Sequence, residues 1–372
     1  QDYVLAGGKI KTMVGASELL EAITESLLTT AIKTLDLEEK EAGGLPEKGD
    51  LALTDKDVVF SRKAGGVFLM VLQNEAKANQ FAQLWPILVN NFAPGLKFSA
   101  ALKSGDDFAE TSKALRDELN NQKNQPQITL PESTPLTVRF QKTGKAQIEA
   151  PQKNKEGLDW TMQAKLDNSF DTLAIKHLND PKKYYFPKQF EHKNADDYWK
   201  ESFPFKSTDP GNHTIAIIHT DGNGLGGYLH QIFEQLNNAS SAIAVKAYAT
   251  FSKGLDEATQ AAAKAATQWI IEQYAQEKNP YKYKSEHKNI TPLPMRPLIL
   301  GGDDLTCIVR ADYAFGFVKK FTENFEAETK SYVGKLKNEF GDIFESLPDT
   351  LTCTTGMVFI KSNQPFSLGY AL

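Results

Sequence analysis

Apolar residues along this chain recur in two rhythms, one of helical and one of strand period, and their alternation predicts most of the elements. Near the amino end Tyr3–Leu5 reads as a short strand. Leu19, Leu20, Ile23, Leu27 and Leu28 then recur at helical spacing, so a helix is expected from Ala16 to Ala31. Val58-Val59-Phe60, Ala64-Gly65-Gly66 and Val67-Phe68-Leu69-Met70-Val71 read as strand, tight turn and strand, the paired glycines supplying positive φ. A helix over Asn74–Val89 and an alternating strand over Leu96–Leu102 complete a βαββαβ order, the ferredoxin-like arrangement.

The same order is expected a second time. Thr214–Thr220 predicts a strand and Ser241–Tyr274 a long helical region. Pro297–Leu300 and Leu305–Val309 form the arms of a second hairpin around Gly301-Gly302, Ala311–Phe340 a helix and Leu351–Ile360 a late strand. The economical reading is an α+β protein with two pseudo-duplicated ferredoxin-like domains, over 1–126 and 213–372, joined by a connecting insert over 127–212. The insert is rich in Pro, Asn, Lys and Gln, with an extended piece at Leu136–Phe140 and a helical piece near Met162–His177. Lys278–Pro297 is basic, polar and proline-bearing, and reads as a surface loop ahead of the second hairpin.

A length of 372 residues is consistent with more than one core. No apolar run reaches the ~18 residues of a membrane span, and the amino end lacks the basic and apolar regions of a secretion signal. A cytoplasmic location without membrane contact is therefore expected. The two cysteines, Cys307 and Cys353, lie among strand-like apolar residues, read as buried thiols and offer neither a disulfide framework nor a zinc site. A net charge of -5, from 42 basic and 47 acidic side chains, argues against a surface that grips nucleic-acid phosphates along its length.

The two hairpins differ where chemistry would sit. One reads Gly65-Gly66-Val67-Phe68 and the other Gly301-Gly302-Asp303-Asp304. Phosphoryl transfer calls for charge neutralisation on the attacking and leaving oxygens, which paired divalent cations supply, and hard cations take carboxylate oxygens. Asp221 ends the first strand of the second repeat, so Asp221, Asp303 and Asp304 are expected to converge as catalytic metal ligands. Small residues over Asp221-Gly222-Asn223-Gly224-Leu225-Gly226 let a triphosphate approach the backbone where a helix begins. An ordinary solvated turn is the competing reading of Gly301–Asp304, since Gly and Asp are common turn residues. The strongly apolar strands on both sides weigh against it. His219 reads as a strand residue and Tyr184-Tyr185-Phe186 as packing of the insert. The glycines after Asp221 lack the context of a dinucleotide fingerprint.

With those motifs on the page, the sequence resembles the large palm-domain subunit of type III CRISPR effector complexes, the CRISPR polymerase family related to GGDEF diguanylate cyclases. The residues that carry it are Gly15-Ala16-Ser17 before Leu19-Leu20, the degenerate Gly65-Gly66 hairpin, Asp221 to Gly226, Ser252, and Gly301-Gly302-Asp303-Asp304-Leu305. The resemblance implies that ATP, or another nucleoside triphosphate, is condensed into a cyclic oligoadenylate messenger of antiviral defence. It also implies two Mg²⁺ or Mn²⁺ ions on Asp221, Asp303 and Asp304, with the Gly222 carbonyl as a further ligand. Nucleotide contacts are implied at Gly15, Ala16, Ser17, Gly222, Asn223, Gly224, Ser252, Gly301 and Gly302, in a pocket shared by both palms. Other effector subunits and guide or target RNA are the implied partners.

Asn223 stands where related sequences often carry a second aspartate. Ser17 has a competing role as a helix-start residue. No HD nuclease region precedes the first palm, zinc-ribbon cysteines are missing, and the chain stops at Pro365–Leu372, so a compact relative or a shortened chain is expected. A diguanylate cyclase and a non-catalytic scaffold are the alternative functions.

Overall fold

A computed structural model describes residues 2–5, 9–47, 49–125, 136–141, 143–148, 157–168, 180, 182–190, 203–205, 213–277, 283–284 and 289–364. The chain opens with α1 (Asp2–Leu5) and α2 (Ile10–Ala22), continues through a turn of π geometry at Ile23–Leu27 and ends this helical run in α3 (Leu28–Thr34). Then come β1 (Glu38–Glu39), β2 (Asp57–Ala64), β3 (Val67–Leu72), α4 (Glu75–Phe92) and α5 (Phe108–Asn124). The starts of α4 and α5 are fixed by capping side chains. Asn74 accepts from the Lys77 amide at 3.0 Å and Asp107 from the Glu110 amide at 2.8 Å. Leu19, Leu28, Val58, Phe60, Phe81 and Trp85 close one core between α2, α3, the hairpin and α4.

The first half departs from the predicted order at both ends. Tyr3–Leu5 is helical rather than extended: Val4 is fully buried, and the ammonium of Lys165, far along the chain, donates to the Tyr3 carbonyl at 2.5 Å. Leu96–Leu102 is not a strand either. Leu96 and Phe98 pack on the core and produce the alternation, but among the described residues no strand pairs with them. The sheet is β1-β2-β3, with β1 parallel to β2, and α5 is an element that periodicity did not predict. The helix expected over Ala16–Ala31, the hairpin and the helix after it are present, but both outer strands are missing, so the expected βαββαβ order is not completed here.

In the insert, Arg139 bridges Ala146 and Gln147 bridges Asp159, followed by α6 (Trp160–Asp167) and β4 (Tyr184–Tyr185). The predicted helical piece ends at Asp167, and its remainder beyond residue 168 lies outside the described residues.

The second half consists of β5 (Thr214–Gly222), α7 (Leu225–Leu236), α8 (Ser241–Ala275), β6 (Tyr283–Lys284), β7 (Asn289–Pro292), β8 (Met295–Gly301), β9 (Asp304–Arg310), α9 (Ala314–Phe340) and β10 (Cys353–Lys361). Its four-stranded sheet has the order β10-β5-β9-β8, and every neighbouring pair is antiparallel. Counted along the chain this is 4-1-3-2, the order of a ferredoxin-like βαββαβ unit. The alternation of β5 explains how the sheet is covered. Ala216 and Ile218 join the core under the long helices α8 and α9, whereas Ile215 and Ile217 meet Met13, Val14 and Ala16 of α2. Helix α2, from the first half of the chain, thus roofs the second sheet. Where a loop was expected over 278–297, β7 pairs with β6 and with β4, a partnership across about a hundred residues that local pattern does not reveal. No helix among the described residues is long and apolar enough to cross a membrane.

Candidate metal centre

The carboxylates meet because of strand register. In the β5–β9 ladder Thr220 faces Leu305, so the next position places Asp221 opposite Asp304 and Gly222 opposite Asp303. The β8–β9 hairpin closes with Gly301 paired to Asp304, leaving Gly302 and Asp303 as the turn. Gly302 has φ +63°, and positive φ at the first turn residue alone is the requirement of a type II′ turn. Asp303 therefore sits in the turn itself and Asp304 on the first strand position after it. Ligand oxygens of Asp221, Asp303 and Asp304 lie within 4.8 Å of one another, with Asp221 exposed and the other two half-buried.

The turn is held from behind by α8. Asp256 accepts from the Gly302 amide at 2.9 Å, and Thr259 donates to the Gly302 carbonyl at 2.7 Å. The Gly222 amide in turn donates to the Asp303 carboxylate at 3.3 Å. A β-carbon at Gly222 would lie 2.9 Å from an Asp303 oxygen and 2.5 Å from Leu225, so this position has no room for a side chain. Asp256 and Thr259 were not predicted. Their signal was present all the same: Ser252, Asp256 and Thr259 form a polar stripe at i, i+4 and i+7 in a helix otherwise rich in alanine.

The cluster is electrostatically unsatisfied. Burial pushes the Asp304 carboxyl up to about 7, reinforced by a hydrogen bond with Asp221 and by the charges of Asp303 and Asp221. Asp303 is raised as well, by burial first and then by Asp221, with the Gly222 amide and the Arg62 guanidinium pulling the other way. Carboxylates crowded in this way repel one another unless protonated or bridged by a cation.

Beside the cluster opens a cleft lined by Arg62, Ala64, Leu225, Leu229, Tyr248, Phe251, Ser252, Leu255, Gly302 and Asp303. It draws on both halves of the chain. The tips of the two hairpins touch: a β-carbon on Gly301 would stand 3.1 Å from the Gly65 Cα.

The structure brings Asp221, Gly222, Gly301, Gly302, Asp303 and Asp304 together and places Ser252 in the adjoining cleft. Gly224, at φ +68°, caps α7 next to Asp221-Gly222. Asn223 is turned to another task, because its amide donates to the Thr352 hydroxyl at 2.9 Å and accepts from Thr354 at 2.6 Å, tying the loop to β10. Gly15, Ala16 and Ser17 do not line the cleft. They are packed inside α2, where Gly15 lies against the Lys165 backbone, Ala16 is fully buried and the Ser17 hydroxyl donates to the Leu298 carbonyl of β8. Neither is Ser17 a helix-start residue, since α2 begins at Ile10. His219 is a strand residue whose Nδ1 lies 2.9 Å from the Thr306 hydroxyl. Phe186 is buried in the core, against which Tyr184 packs, as expected of a packing run.

No family model matches the chain, and no curated protein matches it. Among solved structures it is similar to a Csm1-Csm4 cassette in complex with cA4, at 14% identity and a TM-score of 0.47, over 100% of this chain and 50% of that one. It is also similar to Csm1 in T. onnurineus, at 15% identity and a TM-score of 0.47, over 100% and 48% of the two chains. A third similar structure is a Csm1-Csm4 cassette in complex with AMPPNP, at 14% identity, a TM-score of 0.46 and coverage of 100% and 50%. The chain spans about half the length of these neighbours.

Proposed function

We propose that Asp221, Asp303 and Asp304 hold a pair of divalent cations and that the chain is a metal-dependent nucleotidyltransferase. The observation that carries this reading is the convergence of three carboxylates, from two strand ends and one turn, to within 4.8 Å of one another. The donors fit Mg²⁺ or Mn²⁺: all are hard carboxylate oxygens, and burial and mutual repulsion raise the Asp303 and Asp304 carboxyls, which a cation would relieve; the resemblance adds the Gly222 carbonyl as a further ligand. When bound, such ions neutralise the attacking and leaving oxygens of an in-line phosphoryl transfer.

The protein's own part is positioning. Asp256 and Thr259 fix the turn that carries Asp303. Asn223, clamped by Thr352 and Thr354, fixes the loop that follows Asp221. The amino end of α7, preceded by Gly224, offers backbone amides to phosphate. The cleft beside Asp303, walled by Tyr248, Phe251 and Leu255 with Ser252 among them, suits an apolar base face with one polar group to orient it.

ATP as substrate, a cyclic oligoadenylate as product, and other effector subunits with guide or target RNA as partners rest on the sequence resemblance of Asp221–Gly226 and Gly301–Leu305. The test is incubation with each nucleoside triphosphate and Mg²⁺ or Mn²⁺, product separation, and calorimetry with Mn²⁺ and a non-hydrolysable ATP analogue. A metal-dependent adenylate ring is the expected product. Cyclic diguanylate alone would move the chain to the cyclase alternative, and nucleotide binding without metal dependence, together with no product, would leave a scaffold.

A further inference from the structure

The β2–β3 ladder contains an irregularity whose effect reaches the cleft. Phe60 pairs with Met70, but Arg62 pairs with Leu69, so Ser61 is an extra residue and the strand shifts by one position. Because side chains alternate along a strand, one inserted residue exchanges the faces of everything after it. Before the bulge, Val58 and Phe60 face the core of the first half and Val59 faces the core under α8. In the unbulged register Arg62 would follow Phe60 into that first core. With the bulge, Lys63 takes the Phe60 side, its ammonium 4.8 Å from the Phe60 ring centroid. Arg62 is turned instead to the Leu69 side, where it lines the cleft together with Ala64, Ser252, Gly302 and Asp303.

Arg62 is half-buried there, and among the described residues its guanidinium makes no hydrogen bond and no ion pair within 4 Å. A half-buried guanidinium whose five donors have no protein acceptor keeps them for a ligand, and a bulge that aims it costs ladder pairing. Asp303 lies across the same cleft but is not bonded to it. Once that carboxylate is engaged by cations, the donors of Arg62 are left for another anion in the cleft, and a planar fork of N–H groups matches phosphate oxygens.

We propose that Arg62, delivered by the Ser61 bulge from the first half of the chain, binds the triphosphate of the nucleotide that occupies the cleft beside Asp303. The proposal rests on the nucleotidyltransferase reading and adds to it the residue that distinguishes a triphosphate from a monophosphate. It also makes the degenerate hairpin a contributor to binding through its arm rather than its tip.

The test is calorimetry on the whole chain and on Arg62→Ala, Arg62→Lys and Arg62→Met, titrating Mn²⁺ alone, then AMP and a non-hydrolysable ATP analogue with Mn²⁺ present. The wild-type protein is expected to bind the triphosphate analogue more tightly than AMP. Arg62→Ala and Arg62→Met should lose about tenfold or more of that preference while AMP affinity and Mn²⁺ affinity are retained. Arg62→Lys should recover part of it. Arg62→Met keeps an apolar stem beside Leu69, so a wild-type preference in that variant overturns the proposal even if Arg62→Ala is misfolded. In that case Mn²⁺ and nucleotide binding by the wild type would leave the nucleotidyltransferase reading standing. Mn²⁺ binding with no nucleotide binding by the wild-type chain would overturn both.

Discussion

The two glycine hairpins of this chain look alike in sequence and differ by one residue in how they turn. In the first, Gly65 and Gly66 are the turn itself, both with positive φ, at +63° and +71°. In the second, Gly301 still belongs to the strand, and Gly302 and Asp303 make the turn. That single step moves one carboxylate into the turn and puts the other opposite Asp221. The second tip is also braced by Asp256 and Thr259 of α8, whereas the first tip simply abuts it. The same Gly-Gly pair is therefore a bare turn in one place and a ligand platform in the other. The difference lies in register and bracing as well as in the acidic residues that follow.

The comparison breaks outright if the second tip works without its carboxylates. Replacing both Asp303 and Asp304 by Asn is expected to reduce nucleotide condensation to background and to abolish Mn²⁺ binding, while metal-free thermal stability rises because the mutual repulsion is gone. Retained synthesis in a folded double variant would refute two-cation chemistry at this hairpin. Gly222→Ala is the next largest effect. Its methyl group would push on Asp303, and a displacement of this kind costs about 100-fold in rate.

Acidity sharpens the same contrast. The folded Asp304 carboxyl titrates near 7 against an unfolded value near 4, so between these limits the native state holds more protons than the unfolded one. Metal-free stability should therefore fall as pH rises from about 4 to 7, a slope that Asp304→Asn flattens in a pH series of thermal melts. Mn²⁺ affinity should move oppositely and weaken as pH drops below about 7, because protons then compete for the site. The acidic groups facing Asp304 are Asp303 and Asp221, and the Arg62 guanidinium bears on Asp303.

Bracing is tested by Asp256→Ala, which strands the Gly302 amide and should cost about 1–3 kcal/mol, with faster hydrogen exchange at that amide. The smallest effect is expected of Ser17→Ala. The lost bond to the Leu298 carbonyl costs about 1 kcal/mol, and synthesis per folded molecule stays unchanged. A fall in specific activity would return Ser17 to the nucleotide site that the resemblance implies.

The hairpins, the long helices and the meeting of Asp221 with Asp303 and Asp304 were legible because each is written in local pattern: apolar runs, glycine pairs, acidic strand ends. What stayed hidden depends on distant partners. Tyr3–Leu5 has strand-like residues, but it is helical, with Val4 in a core built from distant segments and Lys165 bonded to the Tyr3 carbonyl. Leu96 and Phe98 alternate correctly yet, among the described residues, have no strand to join. Gly15-Ala16-Ser17 carries part of the resemblance, while its observed surroundings, the α6 backbone and β8, come from residues about 150 and 280 positions away. Arg62 was missed because the face of a strand residue is read by counting in twos, and the Ser61 bulge breaks the count.

The contact between the two tips bears on how this chain can vary. A side chain on Gly301 would crowd the Gly65 Cα at 3.1 Å, and Gly65 itself has a left-handed φ of +63°, so both positions favour glycine for backbone reasons. In a library randomised at every position, these two glycines should tolerate as little change as the aspartates beside them. A survey of tolerated substitutions would then mark the degenerate hairpin as indispensable for reasons of backbone geometry and close approach, and a count of intolerant positions would overstate the number of catalytic ones.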